Sequence, residues 1–295
     1  NGMQAAFMAP TAILCEQHYR PFLKFFRGTG IKSALLLGSA TAKEKKIIYE
    51  QLATGEIDFI VGTHALLNDN IMFRNLGIVI TDEQHRFGVE QRASLISKGQ
   101  NPHLYVMSAT PIPRTLSLAI YGDLKVSVLD EMPPGRTEIK TYCISSAIRE
   151  RAYNYIKKHL DKGLQAYIIC PLIEQGEDES LVSAEEYAEK IRRTSFRNYS
   201  VGLMHGRLSA KEKDAVMNAF AKGDIQLLVS TTVVEVGVDV PNAAVMLIEN
   251  AERFGLSQLH QLRGRVGRGE AESCCILVTD NKSETTKQRM KIMCS

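Results

Sequence analysis

Short apolar runs alternate with amphipathic stretches along the whole of this 295-residue chain, and that alternation limits the fold more than any other feature. Runs such as Phe59–Val61, Ile78–Thr81, Ala166–Cys170, Leu227–Ser230 and Val245–Ile248 are apolar at nearly every position. A strand covered on one face alternates apolar with polar residues, so unbroken runs mark strands covered on both. The runs Ala5–Met8, Ala34–Leu37, Leu104–Met107, Val201–Met204 and Cys275–Val278 read the same way. Helices that supply the cover fit Ala12–Phe26, Ala42–Ala53, Val89–Ser97 and Ile148–Leu160, then Ala184–Arg193, Ala210–Ala221 and Gln258–Gly264. The expected class is α/β, with mainly parallel sheets covered by helices and right-handed crossovers.

The length suggests two domains, at ~150 residues each. Paired Pro133 and Pro134 followed by Gly135 interrupt any helix or central strand, which puts a linker at 129–138 between domains at 1–128 and 139–295. The acidic, turn-rich stretch Glu174–Ser180 reads as a surface loop. Lys and Arg total 36 against 33 Asp and Glu, a net charge of +3, so a nucleic-acid site has to be a local arrangement rather than a bulk field. A hydrophobic content of 44% excludes disorder. No apolar run approaches the ~18 residues that span a bilayer. The six cysteines show no C-x-x-C spacing and read as reduced core thiols of a cytosolic protein. The chain opens at Asn1-Gly2 and runs at once into a strand, which reads as a piece of something longer.

In parallel sheets ligands bind outside the carboxyl ends of the strands, and the unusual residues fall there. Asp82-Glu83-Gln84-His85 follows a buried run. Two adjacent carboxylates at such a place are costly unless compensated. Magnesium held by Asp82, with Glu83 orienting or deprotonating a water, would compensate them and suit phosphoryl transfer. Ala9-Pro10-Thr11 and Gly62-Thr63-His64 each offer a helix cap whose free N–H groups suit a phosphate, though simple capping explains either alone. Ser108-Ala109-Thr110 ends another strand, and Thr231 to Asp239, with Gly237, ends a further one. Near the carboxyl terminus stand Gln261, then Arg263-Gly264-Arg265-Val266-Gly267-Arg268-Gly269. A solvated basic surface uses Lys as freely as Arg. Three arginines and no lysine favour planar, bidentate recognition of phosphate oxygens, as an arginine finger requires.

In this order the strings resemble the superfamily 2 helicases and translocases, which pair two RecA-like domains with ATP in the cleft and nucleic acid across the top. Ala9-Pro10-Thr11 corresponds to motif Ia, Asp82 to His85 to motif II, and Ser108-Ala109-Thr110 to motif III. His205-Gly206-Arg207 falls near motif IV, Thr231 to Asp239 at motif V and Gln261 to Arg268 at motif VI. Long strings around Asp82–Arg92, Ser108–Leu116, Tyr121-Gly122-Asp123-Leu124 and Pro133-Pro134-Gly135-Arg136 look like the RecG branch of DNA helicases. The Mfd translocases share the Thr110–Leu116 and motif VI strings, whereas His85, Tyr121–Leu124 and Pro133–Arg136 look like RecG instead.

The resemblance implies an ATP-dependent motor that remodels branched or forked DNA, using ATP and Mg2+, working as a monomer in the cytoplasm. It assigns Asp82 and Glu83 to the metal and the attacking water, and Arg265 and Arg268 to the γ-phosphate. Gln261, Gly237, Asp239 and His85 would line the nucleotide, with His85 also coupling hydrolysis to movement. Pro10, Thr11, Thr63 and Thr231 would hold the DNA backbone. Ser108, Ala109 and Thr110 would transmit hydrolysis to DNA movement, with the linker near Pro133 as hinge. One departure stands out: no G-x-x-x-x-G-K-[S/T] loop follows a first strand. In the family that loop precedes the segment where this chain begins. The implied picture is a motor piece with its first strand, phosphate loop and fork reader missing. The alternatives are a catalytically dead nucleic-acid-binding module and an Mfd-like translocase.

Overall fold

A computed structural model describes residues 2–83, 87, 89–108, 125–129, 131, 138–171, 177–231 and 240–295. Two compact units divide the chain, one containing the strands up to Val106 and the other those from Lys140 onward. In the first, β1 (Gln4–Met8), α1 (Ala12–Phe25), β2 (Ser33–Leu36), α2 (Ala42–Thr54) and β3 (Phe59–Gly62) are followed by β4 (Leu76–Thr81), α3 (Val89–Ile96) and β5 (His103–Val106). Its strands run in the order β2-β3-β1-β4-β5, all parallel. Met8 lies opposite both Gly62 and Thr81, so β1, β3 and β4 finish on one edge. The strand side chains alternate between two apolar layers. Ala6 and Met8 pack with Leu36, Ile60 and Val79 on one face, and Phe7 with Leu14, Cys15 and Val61 on the other. Burial on both faces is what the unbroken apolar runs require.

The second unit holds β6 (Lys140–Ile144), α4 (Arg149–Leu160), β7 (Gln165–Ile169), α5 (Glu177–Arg193), β8 (Val201–Met204), α6 (Ala210–Lys222) and β9 (Leu227–Ser230). Then come β10 (Ala243–Ile248), α7 (Leu256–Arg263), β11 (Cys274–Val278) and α8 (Glu284–Cys294). Its six parallel strands are ordered β6-β11-β10-β7-β9-β8. Ile169 lies opposite Ile248 and Ser230, again aligning the carboxyl ends.

The two units repeat one another in detail. Thr41 with Glu44 and Ser209 with Glu212 form matching capping boxes on α2 and α6. Gly55 and Gly223 end those helices in the left-handed conformation that glycine adopts without strain. Lys45 Nζ donates to Gly38 O at 3.0 Å, and Lys213 Nζ to Gly206 O at 2.7 Å. At the start of each central strand a buried glutamine supplies the carbonyls at the end of the neighbouring helix. Gln4 Nε2 donates to Leu52 O and Ile57 O, and Gln165 Nε2 to Phe220 O and Ile225 O. Helix ends leave such carbonyls without intrahelical partners, which explains an amide in an otherwise apolar layer.

Every strand expected from the apolar runs is present, with ends displaced by two residues at most. Three elements differ from expectation. The edge strand β6 carries Lys140, Thr141 and exposed Tyr142, a mixed pattern that no apolar run marks. Helix α8 buries only Thr286, Met290 and Met293, too little to show a stripe. Residues 177–180 of the expected acidic loop belong to α5, because carboxylates in a first turn favour a helix; residues 174–176 lie outside the described ones. The described cysteines are all free thiols, but Cys143 and Cys294 are exposed rather than core residues. No helix among the described residues is long and apolar enough to cross a membrane.

Candidate active site

Strand β4 delivers the acid pair. Asp82 continues the ladder by donating its N–H to Met8 O at 3.0 Å, which ties it to the end of β1. Its side chain is held at both oxygens. Glu83 N donates to Oδ1 at 2.9 Å, and His18 Nε2 lies 2.8 Å from Oδ2. The carboxylate accepts, which places the hydrogen on Nε2. Glu83 sits at φ +48°, in the left-handed region that costs a residue with a Cβ about 1–2 kcal/mol. Strain of this kind persists only where surrounding bonds over-determine it, and it gathers at functional sites. The Asp82 Oδ1 bond is one such restraint.

The arrangement suits a magnesium ion. Each Asp82 oxygen accepts one hydrogen bond and keeps a further acceptor position. Magnesium retains several waters and takes one or two carboxylates beside substrate phosphates, a small donor set that Asp82 and Glu83 match.

The parallel register brings Pro10, Thr11, Thr63, Asp82, Glu83 and Ser108 to one edge of the first sheet. Thr11 caps α1, accepting from Leu14 N at 3.3 Å. Thr63 is buried, and its hydroxyl accepts from Ala65 N at 3.4 Å to start a short 3-10 turn. In the second unit Thr231 is also buried, its hydroxyl without a partner among the described residues. His85, Ala109, Thr110, Gly237 and Asp239 lie outside the described residues.

The arginine tract divides by role. Arg263, the last residue of α7, donates from Nη1 to Met293 O at 3.1 Å, and its Nη2 lies 3.1 Å from His260 Nδ1. It tethers α7 to α8, and the resemblance assigned only Arg265 and Arg268 to the γ-phosphate. Arg265 is buried; Arg268 is exposed, with Nε donating to Gly264 O at 3.0 Å. Gln261 is half-buried on the same helix. The intervening glycines follow from space. Gly267 has φ +78°, and a Cβ on Gly269 would lie 2.3 Å from Pro241 O. Only glycine fits that approach.

Sequence reasoning missed His18 and a second cluster. His18 follows Leu14 and Cys15 by one helical turn, so the spacing alone puts it on the face of α1 that meets the sheet. The second cluster sits where β10 ends. Buried Glu249 accepts both arms of Arg149, Nε to Oε1 and Nη2 to Oε2, each at 2.9 Å. Tyr187 OH donates to Oε1 at 2.8 Å and lies 2.5 Å from Tyr153 OH. Burial pushes the Tyr153 hydroxyl and the Cys170 thiol each up to about 12. These residues line a cavity of ≈ 340 Å³ with Lys190 and Asn250. A charged residue closing an apolar run, Glu249 after Ala243–Ile248, was the available signal.

Two family models divide the chain between them: the DEAD/DEAH box helicase domain matches residues 1–119 and the helicase conserved C-terminal domain 149–270. Each of the two parallel-sheet units thus matches one of the paired domains that these helicase models describe. A Bacillus subtilis protein described as ATP-dependent DNA helicase RecG is 53% identical over 99% of this chain, and its Thermotoga maritima counterpart 51% identical over 98%. A solved structure of RecG bound to a three-way DNA junction is 49% identical, with a TM-score of 0.85 over 99% of this chain. A Mycobacterium smegmatis helicase Lhr shares the fold at 15% identity and a TM-score of 0.69. Within its class the chain is RecG-like along its whole length. It spans 43% of the B. subtilis relative, 37% of the T. maritima relative and 38% of the chain in the junction structure.

Proposed function

We propose that this chain is the ATP-hydrolysing part of a motor that remodels branched DNA, such as stalled forks and recombination intermediates. The observation that carries the reading is the acid pair: Asp82 restrained at both oxygens, and Glu83 held in a left-handed backbone beside it. Asp82 would hold Mg2+ and Glu83 would orient and deprotonate the attacking water. Mg2+, when bound, neutralises charge on the phosphate oxygens. Arg265 and Arg268 would act on the γ-phosphate of the same nucleotide, with Gln261, Gly237, Asp239 and His85 around it. Pro10, Thr11, Thr63 and Thr231 would take the DNA backbone, and Ser108 to Thr110 would couple hydrolysis to movement. Branched DNA as substrate rests on the RecG relative bound to a three-way junction. Contacts to backbone rather than base edges would leave the motor indifferent to sequence.

The test is Glu83→Gln in the full-length protein. Fork-stimulated ATP turnover should fall by at least ~100-fold while ATP analogue still binds. Turnover at the wild-type rate would remove Glu83 from the chemistry. A full-length wild type that binds forks without hydrolysing ATP would favour the binding-module reading instead.

A further inference from the structure

We infer that His18 is a positioning residue for the acid pair, fixing the Asp82 carboxylate from the side opposite Glu83. The inference rests on the ATP-hydrolysing reading of Asp82. A carboxylate rotates easily about its last torsion, whose preference is broad and two-fold. The Glu83 N–H holds Oδ1 but leaves Oδ2 free to swing. The His18 contact at 2.8 Å supplies the second anchor, so the carboxylate plane is set before any ligand arrives.

His18 is itself fixed from below. Its ring lies 4.6 Å from that of Phe7 on β1, and Phe7 is buried against Phe22 of α1. The next residue, Tyr19, donates its hydroxyl to Ser33 O at 2.9 Å and pins α1 to β2. With 31% of its side chain exposed, His18 is no core histidine; it reaches from a packed face to the open edge where Asp82 stands. The same Asp82 Oδ1 supports the left-handed backbone of Glu83. Removing His18 therefore loosens Asp82 directly and Glu83 through it.

The experiment compares full-length wild type, His18→Ala, His18→Gln and Glu83→Gln. The readouts are fork-stimulated kcat and KM for ATP, Mn2+ affinity by electron paramagnetic resonance with a non-hydrolysable ATP analogue, and melting temperature. Groups that orient metal-binding carboxylates commonly carry about 10–100-fold in affinity or activity. His18→Ala should lower kcat by about tenfold or more with KM for ATP within about twofold, and weaken Mn2+ binding in parallel. His18→Gln, whose amide nitrogen reaches the position of Nε2, should restore most of both. Wild-type kcat and Mn2+ affinity in His18→Ala would overturn the inference. So would a loss that follows a lowered melting temperature and is not rescued by glutamine. Glu83→Gln separates the two readings: if it retains turnover, the reading of the acid pair fails whatever His18 does. If it is inactive while His18→Ala behaves as wild type, the positioning role alone fails.

Discussion

The ends of β4 and β10 are the same piece of backbone put to different uses. Each strand is followed by an acid, Asp82 or Glu249, whose N–H donates to the last residue of the central strand, Met8 O at 3.0 Å or Ile169 O at 2.9 Å. Each acid is followed by a residue other than glycine in the left-handed conformation, Glu83 at +48° and Asn250 at +46°. What surrounds the carboxylate differs. Asp82 has one partner from a helix and keeps 18% of its side chain exposed. Glu249 receives a bidentate arginine and a tyrosine and keeps only 5%. A carboxylate held by a backbone N–H and an imidazole and open on one side can still accept a cation. One clamped by a guanidinium already has its counter-charge. The fold supplies the place, and the neighbouring side chains set whether the carboxylate stays open or is already paired.

The largest way to break that comparison is Arg149→Ala, which leaves Glu249 buried and without its cation. Stability should fall by about 3 kcal/mol, measured by urea unfolding. A loss below about 1 kcal/mol would mean that Glu249 is not a structural site. Gly269→Ala should come next, at about 2 kcal/mol, because the added methyl meets Pro241 O and the backbone must move. ATP turnover should fall with it as Arg268 shifts. A loss of stability with unchanged turnover would separate that loop from the reaction.

Alkaline pH gives the smallest effect. Tyr153 and Cys170 titrate near 10 and 9 in an unfolded chain and are raised by burial to about 12 each. Below about pH 9 both states keep these protons and the stability is complete. Above it the unfolded chain releases them first, so stability falls as pH rises from about 9 towards about 12. The slope should approach about 1 kcal/mol per pH unit for each group, and Tyr153→Phe should flatten it in urea melts. No flattening would mean that the cluster around Glu249 opens to water before the chain unfolds.

How legible all this is from sequence depends on burial. Buried parallel strands announce themselves because both faces must be apolar, and Asp82 stands out against Leu76–Thr81 for the same reason. Strand β6 and helix α8 lie at an edge and at a surface, where few positions are constrained to be apolar. The arginine tract shows chemical type without distinguishing Arg263, engaged with Met293 O, from Arg265 and Arg268. His18 and Asp82 stand 64 residues apart, a distance across which sequence spacing carries no geometry. Arg149 and Glu249 are separated by 100 residues and escaped notice likewise. Only the parallel register brings such pairs together.

The account turns on one contrast, best measured by setting Asp82→Asn beside Glu249→Gln in the full-length protein, with ATP turnover expressed per folded molecule. The account predicts that Asp82→Asn loses turnover by at least ~100-fold at a near wild-type melting temperature. Glu249→Gln should melt earlier while its folded fraction turns over ATP normally. Turnover surviving in Asp82→Asn, or abolished in a stably folded Glu249→Gln, would contradict it.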